Sequence, residues 1–149
     1  MKRRVRILVV CTGNRFRSQI AEGWLRHFGG DQVEVVSAGT VPSFVSPYAI
    51  EAMAEAGVDI SAQRSKGVEE FLGRDFDFLV TVCDSARETC PFFPGASRHI
   101  HRSFEDPQAL IDAGADPMVV TRAVRDEIRV WAEEFPREVL GKEFSKESV

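Results

Sequence analysis

A cysteine and an arginine lie six residues apart in the run Cys11-Thr12-Gly13-Asn14-Arg15-Phe16-Arg17-Ser18. A thiolate is a nucleophile, and a guanidinium offers a planar fork of donors that fits two oxygens of a tetrahedral oxyanion. The Ser18 hydroxyl can donate a hydrogen bond to the Cys11 sulfur. This spacing therefore predicts an oxyanion site with a nucleophilic thiol at its floor. We expect the loop to bind the anion through Thr12, Gly13, Asn14, Arg15, Phe16 and Arg17.

The flanking residues predict how this loop is positioned. Residues 5–10 form a short β-branched apolar run, whereas apolar residues recur at helical spacing over residues 20–28. The unpaired N–H groups and the positive dipole end of that helix would face the anion. We expect the same surroundings to lower the pKa of Cys11, so that it is a thiolate at neutral pH. Gly13 and Asn14 would let the backbone turn its amides inward. The alternative is an unreactive cysteine buried at a strand end.

Composition indicates one globular domain. The chain has 149 residues, 44% hydrophobic and 28% charged, which is enough to form a core. We expect a single catalytic domain over residues 1–136 and a polar tail over 137–149. No apolar run is long enough for a signal peptide or a membrane span, so we expect a cytoplasmic protein without a membrane partner. A net charge of -4 and a pI near 5.4 argue against a nucleic-acid partner.

Alternating strand and helix signals predict an α/β fold. One helix should begin at residue 47 after the Ser46 cap, and a last one should run over residues 117–135 between the Asp116 cap and Pro136. Strands separated by helices pair in parallel. The fold class predicted is a small three-layer domain with a four-stranded parallel sheet flanked by helices. We place its strands at residues 5–10, 33–39, 76–82 and 98–101.

Two further cysteines extend the chemistry. Cys83, like Cys11, follows a predicted strand, and the sulfurs would share one crevice if those strands are neighbours about 4.8 Å apart. Cys83 and Cys90 are seven residues apart, which is about 10 Å along an intact helix. A disulfide needs Cα atoms within about 7 Å. We therefore expect residues 84–94 to be helical when reduced and looped out when oxidised.

Other interpretations of the second and third cysteines remain open at this point. Cys83 can be a buried strand-end residue and Cys90 an unremarkable surface one. A zinc site is a further possibility, although the Cys-x6-Cys spacing is longer than that of usual ligand pairs. Its ligands would be Cys83, Cys90, His99 and His101.

The longer run Cys-Thr-Gly-Asn-x-x-Arg-Ser-Gln-Ile-Ala-Glu-Gly-Trp resembles the phosphate-binding loop of the low molecular weight protein tyrosine phosphatases. It resembles even more their relatives, the thioredoxin-coupled arsenate reductases. Matching segments follow in the same order, so the resemblance covers roughly residues 5–135 and is far more specific than Cys-x5-Arg alone. These segments are Ser37-Ala38-Gly39, Cys83, Cys90-Pro91 and Phe104-Glu105-Asp106-Pro107.

The resemblance implies an arsenate reductase that works by a three-cysteine relay. Arsenate would bind in the loop, with phosphate or sulfate as competing anions, and the Cys11 thiolate would attack arsenic while Asp106 protonates the departing water. Cys83 would then attack Cys11 and release arsenite, and Cys90 would attack Cys83. A thioredoxin-like partner would reduce the Cys83–Cys90 disulfide. The catalytic residues implied are Cys11, Arg17, Ser18, Cys83, Cys90 and Asp106, with no metal and no organic cofactor.

Competing functions share parts of this site. A phosphatase acting on phosphotyrosine would use Cys11, Arg17 and Asp106 but not the other cysteines. Such enzymes usually carry aromatic residues beside the acid, whereas Gln108 follows Asp106-Pro107 here. A non-enzymatic oxyanion sensor would leave the reactive thiol unexplained. A mycothiol or glutaredoxin route could replace thioredoxin as reductant.

The chain departs from the family pattern at two positions. Arg15 replaces a small residue and either adds positive charge or points to solvent. Some members bind potassium beside the loop, and the ligands that match here are Asn14, Glu22 and Ser37. Lys66 replaces the fourth ligand, an aspartate, so its ammonium would repel or replace the ion. We therefore do not expect potassium dependence.

Overall fold

The computed structural model describes residues 3–90 and 93–147, with side chains left out for Thr89 and residues 141–147. Four strands alternate with five helices and two 3-10 turns at Gly30–Gln32 and Val68–Phe71. The strands are β1 (Val5–Cys11), β2 (Val33–Gly39), β3 (Phe76–Thr81) and β4 (Ala96–His101). The helices are α1 (Arg17–Gly29), α2 (Pro47–Glu55), α3 (Asp84–Thr89), α4 (Pro107–Asp112) and α5 (Pro117–Glu147).

All four strands pair in parallel in the order β2-β1-β3-β4. In β1, the successive residues Leu8, Val9 and Val10 are all fully buried. Neighbouring strand residues point to opposite faces, so helices must cover both faces of the sheet. The predicted three-layer α/β fold with a four-stranded parallel sheet is confirmed. Among the described residues, no helix is both long and apolar enough to cross a membrane.

Short polar residues begin the helices where the sequence places them. The Ser46 hydroxyl accepts the Tyr48 N–H (3.2 Å), and the Asp116 carboxylate accepts the Met118 N–H (3.0 Å). Each cap satisfies an orphan backbone donor in the first helical turn. These two predicted helix starts are confirmed.

The last helix does not end where the sequence predicts. Pro136 lies inside α5, which continues to Glu147, so the predicted end at Phe135 is wrong. A proline inside a helix removes one backbone hydrogen bond and costs about 3 kcal/mol or more. Phe135 and Leu140 on either side of it are both buried in the core, and Phe135 stacks on Trp131 at 5.1 Å between ring centroids. Packing on both sides of the proline offsets its local cost. The boundary between a domain over 1–136 and a tail over 137–149 stays a prediction.

Candidate active site

The Cys11 loop, residues 11–18, joins the end of β1 to the start of α1. Its carbonyl groups accept backbone hydrogen bonds from the segment before α2. Those bonds are Val41 N to Thr12 O (2.8 Å), Ser43 N to Gly13 O (3.1 Å) and Ser46 N to Arg15 O (3.1 Å). The Asn14 N–H points instead at the Cys11 sulfur, 3.2 Å away. The loop therefore turns carbonyls outward and at least this amide inward, as an anion site requires.

Asn14 adopts the left-handed conformation that the sequence predicts, with φ of 50°. Two further residues support the loop without having been identified from the sequence in this role. A Cβ on Gly39 would lie 2.5 Å from the Thr12 carbonyl oxygen, so only glycine allows β2 to approach this closely. The fully buried Gln19 donates from Nε2 to the carbonyls of Asn14 (3.1 Å) and Arg64 (3.0 Å). Both residues lie in segments that carry the family resemblance, but spacing alone does not assign them this supporting role.

A chain of buried hydrogen bonds ends at the Cys11 sulfur. Asn14 Nδ2 donates to Ser18 Oγ (2.7 Å) and to Ser37 Oγ (3.0 Å), and Ser37 Oγ donates to Glu22 Oε1 (2.8 Å). Ser18 Oγ lies 2.8 Å from Cys11 Sγ. Ser18 accepts from Asn14 and still has its own hydrogen, so it can donate to a Cys11 thiolate. The network thus holds the hydroxyl where it can stabilise a thiolate.

Lys66 supplies a cation beside this network. Its backbone N–H donates to Asn14 Oδ1 (3.0 Å), which fixes the orientation of the Asn14 amide. Its Nζ lies 3.7 Å from Glu22 Oε1 and donates to Arg64 O (3.1 Å). Burial lowers the pKa of Lys66, and the Glu22 carboxylate opposes this shift. The Lys66 ammonium thus lies beside Glu22, one of the three residues that match potassium ligands, and whether it repels or replaces the ion stays a prediction.

Burial raises the pKa of Cys11 above its ordinary value. The Ser18 hydrogen bonds and the positive charge of Arg17 act in the opposite direction but do not outweigh the loss of water around a thiol that is 2% exposed. The predicted lowering of the Cys11 pKa is therefore wrong for this structure. The thiol needs a base, or a higher pH, to become a nucleophile.

Arg17 connects the loop to the predicted proton donor. Its Nη1 donates to the Phe104 carbonyl (3.2 Å), and its Nη2 lies 3.7 Å from Asp106 Oδ2. The other oxygen of Asp106 accepts the Gln108 N–H (3.0 Å) and caps α4. Asp106 is thus a helix cap and also a carboxyl group beside Arg17. The structure brings the predicted thiol, guanidinium, hydroxyl and carboxyl groups to one end of the sheet.

Cys83 also lies at this end of the sheet, because β1 and β3 are neighbours, which is the condition for the two cysteines to share a crevice. Cys83 Sγ lies 3.4 Å from Thr12 Oγ1. A negative charge on the Cys83 sulfur would raise the pKa of Cys11. The same sulfur accepts the Ala86 N–H at 3.4 Å and so caps α3. Both thiols are therefore buried, Cys11 within the loop and Cys83 against it.

Cys90 lies at the opposite end of α3, where its backbone turns to an extended conformation. Desolvation alone raises the pKa of this half-buried thiol to about 11. Intact helix separates it from Cys83, since Arg87 N bonds to Cys83 O (3.2 Å) and Cys90 N to Ala86 O (2.8 Å). The helix is shorter than the predicted 84–94: it ends at Thr89, residues 91–92 lie outside the described residues, and 93–94 are not helical.

One histidine of the zinc alternative, His101, has both ring nitrogens in hydrogen bonds. His101 Nδ1 pairs with Thr81 Oγ1 (2.8 Å), and its Nε2 pairs with Asp84 Oδ1 (2.9 Å). His99, His101, Arg87 and Cys90 line part of a cavity of about 460 Å³. Over residues 3–90 and 93–147, no three His, Cys, Asp or Glu side chains are placed to hold a metal ion.

Comparison with known proteins places this geometry in a family. The family model of the low molecular weight phosphotyrosine protein phosphatases matches residues 6–140. The chain belongs to this family. Its resemblance to the arsenate reductases within the low molecular weight phosphatase superfamily is confirmed by an arsenate reductase of Halalkalibacterium halodurans. The two sequences are 41% identical over 122 residues, or 82% of this chain and 88% of that protein.

Solved structures of arsenate reductases are also similar to this chain. An arsenate reductase in a phosphate-binding state aligns with a TM-score of 0.77 and 30% identity, over 90% of this chain and 98% of that one. A thioredoxin-dependent arsenate reductase of Corynebacterium glutamicum aligns with a TM-score of 0.72 and 26% identity, over 95% of this chain and 64% of that one.

Proposed function

We propose that this chain is an arsenate reductase whose three cysteines pass two electrons from a thioredoxin-like reductant to arsenate. One observation carries the proposal: Cys11 ends β1, Cys83 follows the neighbouring strand β3 by two residues and contacts the same loop, and Cys90 lies one short helix beyond. A phosphatase needs only the first of these thiols. The arsenate reductases that the chain is similar to support the substrate, and the thioredoxin-dependent one of Corynebacterium glutamicum supports the reductant.

Arsenate binds at the amides of the Cys11 loop and to the guanidinium of Arg17. Phosphate and sulfate compete because they have the same shape and charge, and one neighbouring structure is of a phosphate-binding state. Because burial raises the pKa of Cys11, the thiol must lose its proton as the anion binds. A doubly charged oxyanion is itself a base that can accept this proton, and Ser18 then stabilises the thiolate.

The first covalent step joins sulfur to arsenic. The Cys11 thiolate attacks arsenic, an As–O bond breaks, and the departing oxygen leaves as water with a proton from Asp106. Asp106 is suited to this role because it lies beside Arg17, 3.7 Å from the guanidinium that holds the anion. The arsenic is still pentavalent after this step.

The next two steps move the electrons. Cys83 attacks the Cys11 sulfur, an S–S bond forms, and the S–As electron pair stays on arsenic, which departs as trivalent arsenite. Cys90 then attacks Cys83, and Cys11 leaves as a thiolate. A partner dithiol reduces the Cys83–Cys90 disulfide by the same exchange chemistry. We place the enzyme in the cytoplasm because this cycle must start from three free thiols.

A coupled assay tests the proposal. Purified protein is mixed with arsenate, thioredoxin, thioredoxin reductase and NADPH, and NADPH oxidation is followed for wild type and Cys90→Ser. We expect wild type to turn over continuously and Cys90→Ser to release no more than one arsenite per chain. Absence of turnover in wild type would contradict the activity, and equal turnover of Cys90→Ser would contradict the relay.

A further inference from the structure

Arg15 spans the Cys11 loop rather than pointing to solvent. Its guanidinium carbon lies 4.4 Å from the centroid of the Phe44 ring, and its Nη2 donates to Gln108 Oε1 at 2.9 Å. Its Nε is buried without a hydrogen-bond partner in the described part of the chain. We call this Phe44–Arg15–Gln108 arrangement the arginine bridge. The Arg15 side chain therefore stays in place through its contacts with Phe44 and Gln108, although water would solvate its buried Nε better.

Both ends of the arginine bridge are anchored. Phe44 lies in the segment that donates backbone hydrogen bonds to the loop from Ser43 and Ser46. Gln108 donates its N–H to Asp106 Oδ1 (3.0 Å) and its Nε2 to Asp112 Oδ1 (2.8 Å). The bridge therefore joins the segment before α2 to the start of α4, directly beside the carboxyl group of Asp106.

The position of the arginine bridge matters because, in an in-line displacement at a tetrahedral centre, the nucleophile and the departing group lie on opposite sides. The Cys11 thiolate approaches from the floor of the loop, so the group that departs must lie on the opposite side, where Asp106 can protonate it. The departing group of free arsenate or phosphate is a single oxygen. The departing oxygen of an aryl phosphate carries an aromatic ring. This ring must extend past Asp106 into the space beside Gln108 and Arg15.

We propose that the arginine bridge is a size filter that admits free tetrahedral oxyanions to the Cys11 loop and excludes phosphate esters of aromatic alcohols. It deepens the proposed function, since it explains why a phosphatase-like loop serves a free oxyanion. The bridge is built by Arg15, whose guanidinium contacts both of the other residues. Gln108 contributes the acceptor, and Phe44 covers one face of the guanidinium.

Protection of Cys11 from alkylation tests the filter without requiring either activity. Iodoacetamide modifies the reduced protein in the presence of inorganic phosphate or phenyl phosphate, and the Cys11 peptide is quantified by mass spectrometry. The readout is the ratio of the two concentrations, phenyl phosphate over phosphate, that halve the alkylation rate. Using a ratio cancels any change in the intrinsic reactivity of Cys11.

The variants are Gln108→Ala, which removes the acceptor, and Arg15→Ser, which removes the bridge. Arg74→Ser is the matched control, because Arg74 also lies over a ring, that of Phe71 at 5.3 Å, but precedes the amino end of β3. We expect a ratio well above one in wild type and in Arg74→Ser. In Gln108→Ala and Arg15→Ser we expect it to fall at least about tenfold, the scale on which a pocket discriminates by size.

Two results would overturn the filter: a ratio near one in wild type, or the same ratio in Gln108→Ala and wild type. If Arg15→Ser does not fold, Gln108→Ala alone decides, since it changes one partly buried side chain. Failure of the coupled arsenate assay would leave this ratio intact, so the two proposals fail separately.

Discussion

The Cys11 loop and the Cys83–Cys90 segment hold thiols of the same proposed cycle but are built in opposite ways. Around Cys11, the side chains of Ser18, Asn14 and Ser37 are fully buried and joined by hydrogen bonds of 2.7 to 3.0 Å. In α3, Ala86 is buried but most of the other described side chains are exposed. One region is fixed by its surroundings, whereas the other depends mainly on its own backbone hydrogen bonds.

This difference matches what each thiol has to do. Holding a tetrahedral anion against a nucleophile requires fixed geometry, so unsatisfied or movable polar groups around Cys11 would be costly. Bringing Cys90 to Cys83 requires α3 to unwind. The backbone hydrogen bonds that must break there contribute only about 1 kcal/mol each. The fold thus combines a rigid site for binding with a weak helix for electron transfer.

Loss of the nucleophile should have the largest effect. Cys11→Ser should lower arsenite production at least about a thousandfold, since a hydroxyl cannot replace a thiolate in this exchange. Rapid-quench assays measure arsenite released per chain. Cys90→Ser is the control and should still allow one turnover. A Cys11→Ser protein that releases one arsenite per chain would show that another thiol attacks arsenic.

Truncation of Asn14 should separate the two regions by stability. Asn14→Ala removes the donor to Ser18 and Ser37 and the acceptor for the Lys66 N–H, so we expect a loss of about 2–4 kcal/mol in the free energy of unfolding. Glu88→Ala on the exposed side of α3 should change it by less than about 0.5 kcal/mol. Urea denaturation measures both. Equal losses would remove the distinction between a rigid and a weak region.

The pH dependence of alkylation should reflect the raised pKa of Cys90. Because the pKa of Cys90 is raised to about 11, its rate of reaction with iodoacetamide should rise about tenfold per pH unit from pH 8 to 10. The rise should level off only above pH 11. Peptide mass spectrometry at a series of pH values provides the rates. A plateau of the Cys90 rate below pH 9 would contradict the effect of burial.

Removing the Ser18 hydroxyl should have a smaller effect than the changes above, a slower alkylation of Cys11. Burial raises the pKa of this thiol and the Ser18 hydrogen bond lowers it, so Ser18→Ala should raise the pKa further. At pH 8, below the pKa, less thiolate is then present and alkylation of Cys11 should slow by roughly threefold to tenfold, the equivalent of about one hydrogen bond. Ser37→Ala, one step further along the network, should slow it less. A faster reaction of Ser18→Ala would reverse the assigned sign.

The sequence was sufficient for features that depend on local spacing. The position of the Cys11 loop, the left-handed Asn14 and the Ser46 and Asp116 caps all follow from residue type and order. The adjacency of the strands before Cys11 and Cys83 does not, and it is the sheet order of the structure that shows it. The chemical roles assigned to Cys11, Arg17, Ser18, Cys83, Cys90 and Asp106 stay predictions until the kinetic tests are made. Their convergence at one end of the sheet, with Cys90 one helix away, is what the structure adds.

Other features depend on tertiary packing and could not be predicted from spacing. Pro136 is a helix breaker by local rules, yet core contacts on both sides keep α5 continuous. The pKa of Cys11 rises because its burial outweighs nearby donors, which only a three-dimensional structure can weigh. Gly39 and the arginine bridge involve residues that are distant in sequence.

Hydrogen exchange tests most directly whether the two regions differ as proposed. Amide deuterium uptake should be compared between reduced protein and protein oxidised to the Cys83–Cys90 disulfide, with the disulfide verified by peptide mapping. We predict that residues 84–89 lose protection on oxidation while the backbone of the Cys11 loop keeps it. Unchanged protection of residues 84–89 in the oxidised protein would contradict this mechanism.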